Sequence, residues 1–177
     1  MKPLKDYILP KVNIMVGRFQ PITTGHLRCM KEVQKRTGNP LIICMIDTPM
    51  DKLDKKHPFP SEFLITHYDS LPVKDIVLVK NANIVQIAEQ LSDYQISGWV
   101  CGTDRYDSYK KMAEKYKDES NLADDFEMIE IKRGDDDESA SKLRQFILDE
   151  NYNEFDKMSA IKGKCYYDDL RRFMLAL

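Results

Sequence analysis

VGRFQPITTGHLRC, Val16 to Cys29, decides how this chain is read. A hydrophobic run, Val12 to Val16, stops there, and a helical pattern through Leu27, Met30, Val33 and Gln34 starts and runs up to Gly38. The junction holds two glycines, a proline, two adjacent threonines and a histidine. Gly17 suits an unusual backbone angle or the close approach of another group, and Pro21 stiffens the turn. Gly25 lets a ligand come close to the start of the helix, where N–H groups without intrahelical partners and the helix dipole favour an anion. Thr23 and Thr24 add hydroxyl donors, and His26 adds an imidazole. A tight turn with threonine as N-cap and His26 on the helix surface accounts for the same residues.

Around this junction, short apolar runs alternate with amphipathic stretches. Val12–Val16, Leu41–Ile46, Ile76–Val79, Ile96–Cys101 and Phe126–Ile131 have the length and the Val and Ile content of strands buried on both faces. Helical spacing follows over Ser61–Leu71, Ile84–Leu91, Tyr106–Tyr116, Ser139–Asp149 and Asn153–Met158. This alternation predicts an α/β, Rossmann-like doubly wound sandwich, with a five-stranded, mainly parallel sheet and helices on both faces. Right-handed crossovers build such a sheet, and ligands bind beyond the carboxyl ends of its strands.

With 177 residues, 42% of them hydrophobic, the chain suffices for one core, so a single domain over 1–177 is expected. Its last twelve residues, YYDDLRRFMLAL, place Tyr166, Leu170, Phe173, Met174 and Leu177 on one face of a helix at about 166–177. That helix closes the core or meets a second copy of the chain, giving a homo-oligomer.

A net charge of -2 speaks against nucleic acid as the main partner. No window approaches the ~20 apolar residues of a membrane span, and no signal-peptide pattern opens the chain. A cytoplasmic protein without a membrane partner is expected. Cys29, Cys44, Cys101 and Cys165 form no CxxC pair, and buried, reduced thiols are their default reading. Asp135 to Glu138, DDDE, reads as a solvated loop before a helix N-terminus or as a metal site; no metal ligands are assigned. The chain lacks both GxxxxGK[ST] and GxGxxG, which argues against a P-loop protein and a dehydrogenase.

GRFQPITTGH resembles the first signature of the HxGH-type nucleotidylyltransferase superfamily, which includes nicotinamide mononucleotide adenylyltransferases, pantetheine-phosphate adenylyltransferases and cytidylyltransferases. Gly17, Phe19, Pro21, Gly25 and His26 match it. Thr23 stands at the first histidine, as in the TxGH version of the pantetheine-phosphate enzymes, while GRFQP is closer to the nicotinamide mononucleotide branch. Roughly 110 residues downstream, Ser139-Ala140-Ser141-Lys142-Leu143-Arg144 is similar to the second signature, ISxTxxR, with Glu138 at the isoleucine position. WVCGTD, Trp99 to Asp104, and HPFPSE, His57 to Glu62, resemble two intervening family segments, although Phe63 stands where the nicotinamide branch commonly has arginine. GTDRYDSYKKM together with SASKLR is similar to phage-encoded members, which implies a viral origin and a host-cytoplasm location.

The resemblance implies transfer of a nucleoside monophosphate, AMP favoured over CMP, from a triphosphate to a small phosphorylated acceptor such as nicotinamide mononucleotide, with release of pyrophosphate. Such a reaction consists of aligning two anions and neutralising charge as it grows. His26, Thr23 and Arg144 are then the catalytic candidates, Arg144 as a planar bidentate clamp. Gly17, Arg18, Phe19, Gly25, Gly102, Asp104, Arg133, Ser139 and Ser141 are the nucleotide-binding candidates. Asp104 is equally well a satisfied turn residue, and Arg18 and Arg133 equally well surface charges. Lys52, Lys55, Lys56 and His57 border the acceptor in this superfamily or form a solvated basic loop. Mg²⁺ is implied with the triphosphate, held largely by phosphate oxygens and water. The alternative is a nucleotide-binding protein that has lost turnover and serves a regulatory or virion role. Lys157-Met158-Ser159 echoes the KMSKS motif of class I aminoacyl-tRNA synthetases, but no residues remain for tRNA-binding domains.

Overall fold

The computed structural model describes residues 9–132 and 139–177. Strands β1 (Lys11–Gly17), β2 (Leu41–Ile46), β3 (Asp75–Val79), β4 (Gln95–Cys101) and β5 (Leu122–Glu130) form one sheet in the order β3-β2-β1-β4-β5. Every neighbouring pair is parallel. The helices are α1 (Thr24–Thr37), α2 (Ser61–Thr66), α3 (Ile84–Gln90), α4 (Thr103–Lys115), α5 (Ala140–Leu148), α6 (Tyr152–Met158) and α7 (Lys164–Leu175). This is the α/β sandwich that the alternation predicts.

Side-chain alternation along each strand splits the apolar residues between two cores. β2 sends Leu41, Ile43 and Met45 into one and Ile42 and Cys44 into the other. The first core is covered by α1, α2, α5, α6 and α7, through residues such as Met30, Leu64, Leu143, Phe155 and Leu170. The second is covered by α3 and α4, through Ile84, Ile87 and Ala113. Each fully buried Ile or Leu contributes roughly 1.5–3 kcal/mol, so the sheet centre is the rigid base of the molecule. Strand order reverses at β1, the position at which sheets of this kind leave a crevice for a ligand.

Element boundaries differ from the periodicity in informative places. α2 ends at Thr66 rather than near Leu71, because the chain tightens through His67 N–H to Leu64 O and Tyr68 N–H to Ile65 O, both 3.0 Å. That tightening carries Tyr68 into the core. α4 starts at Thr103, three residues before Tyr106, and β5 starts at Leu122, four before Phe126. β5 pairs Leu122 with Ile96 and then Glu127 with Gly98, an irregularity that lies ahead of or at the edge of the apolar run, Phe126–Ile131, on which the strand assignment relied. The thiols also need correction: Cys44 and Cys101 are buried, Cys29 is half-buried, and Cys165 is exposed on the outer side of α7. Asp135 to Glu138 and Arg133 lie outside the described residues.

Candidate active site

β1 delivers the chain at Gly17 into the turn 18–22. The left-handed backbone angle falls on Phe19 (φ 51°) and not on Gly17. Gly17 serves close approach instead: a Cβ there would lie 3.2 Å from the Phe19 ring. That ring stands edge-on to His26, with centroids 5.1 Å apart. Two buried side chains hold the turn. The Tyr68 hydroxyl accepts from Ile22 N–H (3.2 Å) and donates to Phe19 O (3.1 Å), and burial raises its pKa so that it keeps its proton. Gln20 bonds both backbone groups of Phe59, from Nε2 to O at 2.7 Å and from Phe59 N–H to Oε1 at 3.0 Å.

Thr23 is the N-cap of α1, and it forms a reciprocal box with His26. Thr23 Oγ1 accepts from His26 N–H at 3.2 Å, and His26 Nδ1 accepts from Thr23 N–H at 3.0 Å. A backbone N–H can only donate, so Nδ1 carries no proton, and the neutral ring presents its N–H at Nε2. Behind the cap, Thr23 pairs with Ser159 in an antiparallel bridge, and the Ser159 hydroxyl donates to Ile161 O at 2.6 Å. The Lys157-Met158-Ser159 segment is thus a brace for the turn.

A cavity of about 370 Å³ opens beside this turn. Arg18, Phe19, Gln20 and His26 line it from the β1–α1 side, Lys56 and His57 from the loop after β2, and Ala140 and Arg144 from α5. Arg18 Nη1 lies 3.3 Å from Asp47 O and from Thr48 Oγ1. Arg144 Nη1 donates to Gln20 O at 2.6 Å. Half-burial lowers the Arg144 pKa, and Asp54 opposes that shift. Asp54 gathers the N–H groups of Lys56 (2.8 Å) and His57 (2.7 Å), and its carboxyl is held below the ordinary range chiefly by the bond from His57 N–H. Among the described residues, the lining brings together two guanidinium groups, one ammonium and two imidazoles, with no carboxylate.

Of the residues singled out in the sequence, Arg18, Phe19, His26 and Arg144 meet in this cavity. Thr23 does not line it; it is 1% exposed, and its hydroxyl serves the cap. Ser139 caps α5 through Lys142 N–H, and its Oγ lies 2.9 Å from Ser141 Oγ, so the two hydroxyls bond each other at the helix start next to Ala140. Gly102 caps α4 at the carboxyl end of β4, where Asp104 is exposed. Lys52 and Lys55 are exposed and outside the lining, whereas Lys56 and His57 belong to it. Sequence reasoning missed Gln20 and Tyr68. Gln20 stood inside GRFQP, which was its signal; Tyr68 had none, because its partners lie 46 and 49 positions away.

A second cavity, about 250 Å³, lies between α4 and β5, and its described lining contains none of the candidate catalytic or nucleotide-binding residues. Among the described residues, no group of three or more His, Cys, Asp or Glu is placed to hold a metal ion, and no helix is long and apolar enough to cross a membrane.

A cationic cavity at the carboxyl end of β1, beside a helix N-terminus at the point where strand order reverses, has the position and charge that suit an anion in an α/β fold. The cytidylyltransferase-like family profile matches residues 14–153, and the chain belongs to that family, within the HxGH-type nucleotidylyltransferases. Its fold resembles that of Thermotoga maritima TmcAL bound with alpha-thio ATP, at a TM-score of 0.59 and 12% identity over 94% of this chain. The chain spans 55% of that protein's length. It also resembles the Plasmodium falciparum nicotinic acid mononucleotide adenylyltransferase, complexed with NaAD (TM-score 0.54, 14% identity) and with APC (0.55, 13%), over 94% of this chain and 95% of that one. No curated protein matches the chain.

Proposed function

We propose that the protein transfers a nucleoside monophosphate, AMP in preference to CMP, from a triphosphate to a small phosphorylated acceptor and releases pyrophosphate. The observation that carries this reading is the convergence of Arg18, His26, Lys56 and Arg144 on one cavity. Such a lining suits two polyanions brought together. TmcAL with its ATP analogue and the Plasmodium enzyme support ATP as donor and a pyridine mononucleotide as the first acceptor to test.

A phosphate oxygen of the acceptor attacks the α-phosphorus, the new phosphoanhydride bond forms there, and the bond from the α-phosphorus to the oxygen bridging it to the β-phosphorus breaks. The attacking oxygen is already anionic and needs no base. The chain's task is placement and charge stabilisation. His26 donates from Nε2–H while Thr23 N–H fixes its ring. Arg144 offers its planar fork to the leaving phosphates, and the first turn of α5, with Ser139 and Ser141, offers N–H groups. Thr23 contributes by orienting His26. Gly17, Gly25, Gly102 and Asp104 shape the nucleotide side, Arg18 its charge, and Lys56 and His57 face the acceptor.

Mg²⁺ fits as a companion of the triphosphate: among the described residues the lining offers no carboxylate, so phosphate oxygens and water would hold the ion, and it would neutralise phosphate charge. The reading treats 1–177 as one cytoplasmic catalytic domain acting without nucleic acid or membrane.

The experiment is pyrophosphate release from ATP and from CTP over a panel of phosphorylated acceptors that includes nicotinamide and nicotinic acid mononucleotides. Release with ATP and one acceptor supports the reading. Nucleotide binding with no release across the panel replaces it by the alternative of a binding protein without turnover.

A further inference from the structure

The loop 49–60 is closed at its base, where Thr48 N–H donates to Ser61 Oγ (2.6 Å) and Ser61 N–H donates to Thr48 O (3.0 Å). Inside it, Asp54 gathers Lys56 and His57. These bonds shape the loop, but none of them reaches the turn that carries His26. Gln20 does. Its amide takes both backbone groups of Phe59, two residues beyond His57, while its own carbonyl accepts from Arg144. Gln20 and Phe59 are both buried, at 3% and 0% exposure, so water does not compete for these bonds.

We propose that Gln20 is the positioning residue for the acceptor side of the site: through Phe59 its side chain sets Lys56 and His57 over the cavity, while its carbonyl sets Arg144 on the nucleotide side. The word acceptor rests on the transferase reading; the mechanical coupling does not. Glutamine suits the task because it offers a donor and an acceptor at the end of a two-methylene arm. Asparagine is one methylene shorter, ionised glutamate lacks the donor, and methionine matches the length but forms neither bond. Substitution at the side chain leaves the carbonyl in place, so the acceptor side loosens and Arg144 stays.

The test uses the full chain with Gln20→Met, and with Gln20→Glu, which keeps the acceptor for Phe59 N–H and retains the measurement should the first variant not fold. Amide hydrogen exchange across 54–59 is expected to quicken by about tenfold, the factor that one net hydrogen bond sets, with β2 unchanged. The KM for nicotinamide mononucleotide is expected to rise on the order of tenfold, with kcat and the ATP-induced thermal shift close to wild type. Unchanged exchange at 54–59 overturns the proposal, as does a loss of the ATP-induced shift matching the loss at the acceptor. If the wild type releases no pyrophosphate with any acceptor, the transferase reading falls, and the exchange measurement alone decides the role of Gln20.

Discussion

Arg144 reaches from α5 to the carbonyl oxygen of Gln20, 124 positions earlier in the chain, and bonds it at 2.6 Å. The second signature of the sequence is thereby locked onto the first. This contact changes what an Arg144 substitution does. As a mere neighbour on an amphipathic helix, Arg144 could be replaced with almost no cost in stability. As the partner of a half-buried carbonyl, it cannot.

Arg144→Lys keeps the charge and loses the fork. The thermal shift induced by ATP is expected to shrink relative to wild type. Stability without ligand is expected to fall by about 1 kcal/mol, because the new ammonium reaches Gln20 O less well. Urea unfolding beside thermal shift reads both; equal ATP shifts in the two proteins would remove Arg144 from the phosphate site.

His26 has two tasks that substitution can separate. His26→Ala loses the donor at Nε2 and the cap at Nδ1, so turnover is expected to drop by ~10²–10³ and stability by about 1 kcal/mol. His26→Glu restores the capping box but points negative charge at a phosphate. It should fold with wild-type stability and not turn over. An active His26→Glu enzyme would sink the donor role.

Thr23 is buried against Ser159, and its hydroxyl caps α1. Thr23→Ser should be nearly neutral, and Thr23→Ala should cost about 1 kcal/mol in urea unfolding. Histidine, the usual family residue here, overfills the site and loses the cap acceptor, for a cost of ~1–3 kcal/mol. Thr23→His with undiminished stability would show that the side chain turns into the cavity.

Acid should loosen the loop that carries Lys56 and His57. The folded Asp54 carboxyl titrates below its ordinary value, chiefly because it accepts from His57 N–H. Its contribution is therefore present above the unfolded carboxylate value, near pH 4, and is lost as pH falls through the lower folded value. Exchange-sensitive amide spectra should show His57 N–H losing protection in that window. Asp54→Asn retains an acceptor oxygen without a titrating proton, and in that variant the dependence should vanish.

Thiol chemistry is expected to be selective. Burial pushes Cys44 up to about 12, and burial followed by the nearby Glu130 and Asp104 charges pushes Cys101 up to about 11. Both stay protonated and covered near neutral pH. An alkylating reagent at pH 8 should label Cys165 on α7 first, and peptide mapping by mass spectrometry checks the order.

Much of this architecture is a local property of the chain. Val and Ile runs of strand length and residues at helical spacing determine the five strands, their helices and the order in which they occur. Gly38 ending α1 and the Thr23–His26 box starting it are equally local, since each involves neighbours within four positions. The turn GRFQPITTGH was legible as the junction of a strand and a capped helix for the same reason. Where local pattern and pairing conflicted, at the irregular start of β5 and the shortened α2, the sequence reading placed the ends wrongly.

Tertiary structure alone decided which motif residues share a cavity. Parallel alignment of β1 with β2 and β4 brings loops from three parts of the chain to one sheet edge, so Lys56, His57 and Arg144 meet His26 only after the sheet has formed. It also decided that Thr23 caps instead of facing the cavity, that Ser159 braces that cap, and that Tyr68 and Gln20 hold the turn. Those roles depend on burial and on paired residues up to 136 positions apart, and no periodicity in the sequence encodes contacts at such range.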